Sequence, residues 1–140
     1  FKKARVNCEK VDDIVLVRWE KLVWNAPFNP VSVLAGGVNT KIMVENPLLG
    51  TLCRNIMSEV CKVAAACGKK LPDDIIEKNI GYTLDFPPYK TSMLLDYENK
   101  RPLEVDAILG NTARLAKQHN ISVPHIDTLY ALLNSINLNG

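Results

Sequence analysis

An all-α domain is the fold class this sequence predicts, and three features predict it. Apolar residues recur at helical spacing in each long segment. No stretch reads as a convincing strand. Asn, Pro and Gly stand where helices would begin and end. The 140 residues suffice for one domain, 1–140, which buries roughly two-thirds of its unfolded surface. With 47% hydrophobic residues and a formal net charge of +2, the chain is neither a disordered tail nor a charge-driven nucleic-acid binder. It holds no apolar run of about 18 residues, so no membrane-spanning helix is expected. The first residues, Phe1-Lys2-Lys3-Ala4-Arg5, lack an initiator Met and an apolar signal core, as the middle of a longer protein would.

Residues 1–10 read as a polar lead-in. Val11-Asp12-Asp13 reads as a helix start, with acids where the helix dipole favours them. That helix runs to about Asn25, with Trp19, Leu22 and Val23 in one apolar stripe. Pro27 and Pro30 each lack a donor and crowd the carbonyl four residues back, so a kink or restart is expected there. Val31 to Leu34 continue as a short buried piece that Gly36-Gly37 ends. A short segment begins at Asn39-Thr40. Asn46-Pro47 then opens a clean helix to Ala66, with Leu48, Leu52, Ile56, Val60 and Val63 inward and Gly68 closing it. Leu71-Pro72-Asp73-Asp74 starts another, ending near Leu84 before the rigid break Phe86-Pro87-Pro88-Tyr89. Thr91-Ser92 caps Met93 to Glu98. A long helix is expected from about Leu103 to His119, with Val105, Ile108, Leu109, Thr112 and Leu115 inward and Asn120 stopping it. The last helix follows Pro124 and runs to about Ile136, with Ile126, Leu129, Tyr130 and Leu133 inward.

Cys8, Cys53, Cys61 and Cys67 sit at gaps without a metal signature and read as free thiols in a reducing cytosol. No metal site is expected. His119 at a helix end and His125 at a helix start are expected to be structural or solvated. Trp19 and Trp24 are expected in the core or a cleft wall.

Three segments place polar groups on otherwise apolar helices. Lys21, Asn25 and Asn29 are four apart, so each is turned about 40° from the last and the three form a short ladder. By spacing alone the ladder reads as a solvated face. Thr91-Ser92 offers a hydroxyl cap beside unpaired backbone donors. Glu104 and Asp106 are about 200° apart on a helix and cannot share a face.

Together and in order, Arg18-Trp19-x-Lys21-x-x-x-Asn25-x-x-x-Asn29-Pro30, Thr91-Ser92-Met93-Leu94-Leu95-Asp96 and Pro102-Leu103-Glu104-Val105-Asp106 resemble the C-terminal domain of the ketopantoate reductase family. The likeness extends from about Val11 through nearly the whole chain. It implies a multi-helix bundle of the 6-phosphogluconate dehydrogenase C-terminal-domain-like type. It implies NADPH-dependent reduction of ketopantoate to pantoate on the route to pantothenate, in the cytoplasm. It also implies roles: Lys21 as the catalytic lysine at the keto oxygen, Asn25 and Asn29 on the substrate's hydroxyl and carbonyl region, Ser92 on its carboxylate, and Glu104 on its hydroxyl and the site's charge. Asp106 is assigned a structural role. The implied partners are a 2-keto acid, a Rossmann domain and a second copy of the chain, with neither nucleic acid nor membrane.

No Gly-x-Gly-x-x-Gly follows a strand in this sequence, so no dinucleotide fingerprint is present. The chain is therefore expected to be a substrate domain apart from its NADPH domain, inactive alone. Two other readings stay open: a sister 2-hydroxy-acid dehydrogenase with another 2-keto acid, and a non-catalytic helical dimerisation domain.

Overall fold

The computed structural model describes residues 2–139, with side chains over residues 14–137. Its helices are α1 (Lys2–Leu34), α2 (Thr40–Glu45), α3 (Pro47–Ala66), α4 (Ile75–Asp85), α5 (Ser92–Glu98), α6 (Asn111–Gln118) and α7 (Pro124–Asn139). A π-helical turn at Asp106–Gly110 leads into α6. No strand occurs among the described residues, and the all-α expectation holds.

The long first helix is the hub. α2, α3, α4, α5, α7 and the π turn all pack against it, while α6 packs on α3, α7 and the π turn. Val23, Phe28, Ile56, Met57, Val60, Leu109, Ile126 and Leu133 are fully enclosed. Burying a side chain of that size stabilises by about 1.5–3 kcal/mol.

Several helix boundaries follow the predicted chemistry. Asn46 accepts from the backbone N–H of Leu48 and Leu49 at the start of α3, with Pro47 first in the helix. Gly36 and Gly37 end α1 with φ near +92° and +91°, which glycine adopts without a Cβ clash. The Gly37 N–H reaches back to the Ser32 carbonyl at 2.9 Å. Gly68, with φ +84°, closes α3, and the Lys69 N–H bonds the Ala64 carbonyl. Thr91 caps α5 by accepting from the Leu94 N–H.

Other expectations are corrected. α1 is already helical at Lys2, so Val11-Asp12-Asp13 is not its start. The helix also passes through Pro27 and Pro30 unbroken. Each proline removes the donor for a carbonyl one turn back, at Val23 and Ala26, a cost of about 3 kcal/mol or more. The whole stretch Ala26–Val33 is buried, and packing on α3 and α5 offsets the lost bonds. Leu48, expected inward, is 83% exposed, while Leu49 and Gly50 beside it are half-buried and buried. α4 begins at Ile75, a turn later than its Leu71-Pro72 signal. The long helix expected from Leu103 to His119 forms as one helical run over residues 105–118, but Asp106–Gly110 within it is a π turn. An extra residue per turn leaves no mark in apolar periodicity.

Cys53 is buried, Cys61 and Cys67 are half-buried, and all three are free. Burial pushes the Cys53 thiol up to about 12, which makes it a packing residue. Cys8 lies outside the residues whose side chains are described. Among the described residues no group of His, Cys, Asp or Glu could hold a metal ion, and no helix is long and apolar enough to cross a membrane.

Glu59, buried in α3 at 5% exposure, fastens α7. Its carboxylate accepts from the backbone N–H of His125 at 3.1 Å and of Ile126 at 3.0 Å, and it faces the His125 ring nitrogen Nδ1. The start of a helix carries unpaired donors and a partial positive charge, so a carboxylate is stable there even when buried. His125 is thus structural, as expected, through a partner 66 residues away. Glu59→Ala should lower stability by about 3 kcal/mol in urea unfolding, with a smaller loss for Glu59→Gln. A loss below about 0.5 kcal/mol, the range of neutral surface changes, would contradict this anchoring.

Candidate active site

Lys21, Asn25 and Asn29 all lie on the uninterrupted part of α1, so the ladder exists as one helical strip. Lys21 is exposed, Asn25 half-buried and Asn29 buried. The strip therefore runs from solvent into the protein, where α5 begins.

Asn29 is the junction. Its Nδ2 donates to the Asn25 carbonyl and to Asn25 Oδ1, each at 3.2 Å. Its Oδ1 accepts from Ser92 Oγ and from the Met93 backbone N–H, each at 3.2 Å. The Met93 N–H can only donate, which fixes which end of the amide is oxygen. A second set of bonds runs beside the first. Ser32 Oγ donates to the Asn29 carbonyl at 2.8 Å, and Ser32 and Thr91 hydroxyls lie 2.6 Å apart. Ser32 has one hydrogen and gives it to Asn29, so Thr91 donates to Ser32. Thr91 in turn accepts from the Leu94 N–H at 3.2 Å. The resulting chain is directed: Leu94 N–H, Thr91 hydroxyl, Ser32 hydroxyl, Asn29 carbonyl.

These bonds sharpen the expected roles. Asn29 is 2% exposed and both ends of its amide are bonded within the protein. Asn25 Oδ1 is taken by Asn29, which leaves the Asn25 Nδ2 donors without a partner among the described residues. Ser92 is exposed and holds its hydrogen on an oxygen that already has the Met93 N–H. Turning that hydroxyl toward an anion therefore leaves no buried group unpaired. The arrangement presents a cation at Lys21, amide donors at Asn25 and a hydroxyl at Ser92, as an oxygen-rich molecule requires.

Glu104 precedes the π turn and is exposed. The π turn packs against α1 and α7. Among the described residues neither Lys21 nor Glu104 makes a side-chain hydrogen bond or ion pair, so the bonded cluster unites Asn25, Asn29 and Ser92 alone. Asp106 does have a structural role. Its Oδ1 accepts from Tyr130 Oη at 2.7 Å and lies 3.5 Å from Arg114 Nη1. The Tyr130 hydroxyl, with Arg114 behind it, holds the Asp106 carboxyl below the usual carboxylate range.

Trp24 is a wall. Its Nε1 donates to Thr83 Oγ1 at 3.0 Å, and its ring stacks on Phe28 at 4.6 Å and on Tyr89 at 6.0 Å between centroids. Trp19 is core. His119 caps the C-terminus of α6 and is exposed. Ser32 and Thr91 were missed as a pair, because residues 59 apart in sequence share no local signal.

Residues 13–137 match the family model described as "Ketopantoate reductase PanE/ApbA C terminal". A 2-dehydropantoate 2-reductase from Nostoc sp. is 38% identical over 130 residues, covering 93% of this chain and 40% of that protein. The crystal structure of 2-dehydropantoate 2-reductase from Methylococcus capsulatus superposes with a TM-score of 0.86 at 45% identity, over 90% of this chain and 40% of that one. A dimeric ketopantoate reductase from Staphylococcus aureus gives a TM-score of 0.79 at 33% identity, over 86% and 42%. The chain thus spans about two-fifths of the proteins it matches.

Asn29→Ala would strand the buried Met93 N–H and remove one of the two bonded links between α1 and α5. It should cost about 2–3 kcal/mol of stability in chemical unfolding. Ser92→Ala, which removes an exposed hydroxyl, should cost less than about 0.5 kcal/mol. Equal losses for the two would contradict the placement of the junction at Asn29.

Proposed function

Because the chain belongs to the ketopantoate reductase C-terminal domain family, we propose that it is the substrate-binding part of an NADPH-dependent reductase converting ketopantoate to pantoate. The observation that carries the reading is the hydrogen-bonded cluster of Asn25, Asn29 and Ser92, which ties two of the three motif segments into one face. The reading extends to a cytoplasmic enzyme of pantothenate biosynthesis with a Rossmann domain elsewhere in a longer chain, and to a second copy as partner.

The described residues do not fit a dinucleotide. They contain no strand and hence no strand–turn–helix to cradle a pyrophosphate. When bound by the other domain, NADPH would supply the hydride. This chain's residues would serve the carbonyl oxygen and the acid group. Lys21, proposed as the catalytic acid, would stabilise negative charge growing on the keto oxygen and give it a proton. Asn25 Nδ2, held by the bond from Asn29 to Asn25 Oδ1, would aim donors at the substrate without reorganisation. Ser92 would bind the carboxylate by rotating its hydroxyl from Asn29. Glu104 would accept from the substrate hydroxyl and balance the charge of Lys21. The isolated domain would be inactive.

A sister 2-hydroxy-acid dehydrogenase with another 2-keto acid is the alternative reading, and Trp24 and Phe28 lie on the same helix as the ladder. Phe28 is fully buried and Trp24 is committed to Thr83 and Tyr89, so neither ring leaves the substrate side crowded.

In the enzyme that joins this domain to its dinucleotide-binding domain, Lys21→Ala should lower kcat about 10²–10⁴-fold in an NADPH-oxidation assay. An unchanged kcat would replace this reading with that of a non-catalytic helical module.

A further inference from the structure

The carboxylate of Glu104 has no side-chain partner among the described residues, so its position depends on its backbone. Helix α7 holds that backbone from both sides. Before it, Asn137 pairs with Leu103 through two bonds. The Leu103 N–H donates to Asn137 Oδ1 at 2.9 Å, and Asn137 Nδ2 donates to the Leu103 carbonyl at 3.3 Å. That carbonyl belongs to the peptide unit joining Leu103 to Glu104. Residues 101–104 have no secondary structure, so no ladder duplicates these bonds. After it, Tyr130 Oη donates to Asp106 Oδ1 at 2.7 Å, in the first turn of the π helix. The local alternative is weak, since the Ile108 N–H reaches the Glu104 carbonyl only at 3.4 Å.

Tyr130 and Asn137 are seven apart on α7. Seven residues fall about 20° short of two full turns and rise about 10 Å, so the two share one face. Gly110 makes room for the upper contact. A Cβ there would lie 2.4 Å from Asp106 Oδ1 and 3.1 Å from the Tyr130 ring, so any other residue would push the Asp106–Tyr130 pair apart.

We infer that Tyr130 and Asn137 are positioning residues for Glu104, which α7 holds by gripping residues 103 and 106 on its two sides. The inference rests on the proposed role of Glu104 in binding the 2-keto acid. It extends the site to a helix that carries none of the five motif residues.

The test is a set of double-mutant cycles in the enzyme containing both domains, read by steady-state kinetics with ketopantoate. Tyr130→Phe removes one oxygen and keeps the ring, so it reports even if Asn137→Ala fails to fold. Each single variant is expected to lower kcat/KM about tenfold, mostly through KM, since misplacement by about 1 Å can cost up to about 10²-fold. In a Glu104→Gln background the same substitutions are expected to change kcat/KM less than about twofold, as coupled residues do not add. Equal losses in both backgrounds would overturn the inference, because α7 would then act through something other than Glu104. So would a damaging Glu104→Gln alongside a silent Tyr130→Phe. A silent Glu104→Gln would sink the proposed role of Glu104 itself, and the inference with it.

Discussion

The amide of Asn29 joins two helices that contribute to the same face. Buried between α1 and the start of α5, it meets Asn25 with its nitrogen and Ser92 and Met93 with its oxygen. A buried amide left unpaired would cost about 1–3 kcal/mol per group, so the bonds of Asn29 to Asn25 and to the Met93 N–H hold one another in place. Two consequences follow from the same atoms. α5 is tied to the hub helix, and the free donors of Asn25 and the hydroxyl of Ser92 are set side by side. Stability and binding geometry here have one origin.

α1 serves as hub as one continuous helix that packs on six other elements while carrying two prolines. Its buried stretch Ala26–Val33 lies where the prolines weaken the backbone ladder, so tertiary packing holds the segment that local propensity would break. Polar residues in that stretch must then satisfy one another. Ser32, Thr91 and Asn29 do so through a directed chain of bonds, which also fixes where α5 starts.

Much of this was legible in the sequence because it is local. The caps at Asn46 and Thr91, the stops at Gly36, Gly37 and Gly68, and the four-residue spacing of Lys21, Asn25 and Asn29 are chemistry within one turn. What stayed hidden depends on distant residues. The helix through Pro27 and Pro30 needs the packing of α3 and α5. At the π turn, Gly110 leaves room for the bond between Tyr130 and Asp106. The anchoring of α7 needs a carboxylate from α3, at Glu59. The family likeness placed Asn29 among the ligand-facing residues, whereas its side chain is buried and bonded to Asn25, Ser92 and Met93. Glu104 was singled out by its motif, but the bonds between Asn137 and the adjoining Leu103 have no local signature.

The central claim is that the strip Lys21–Asn25 and the hydroxyl of Ser92 form one substrate face. The most direct measurement is a crystal structure of the enzyme containing both domains, with ketopantoate and the oxidised cofactor bound. The keto oxygen should lie within hydrogen-bonding reach of Lys21 Nζ and the carboxylate on Ser92 Oγ, with the Asn29 amide still bonded to Asn25 and Met93. A keto acid seated beyond the reach of both Lys21 and Ser92 would contradict it.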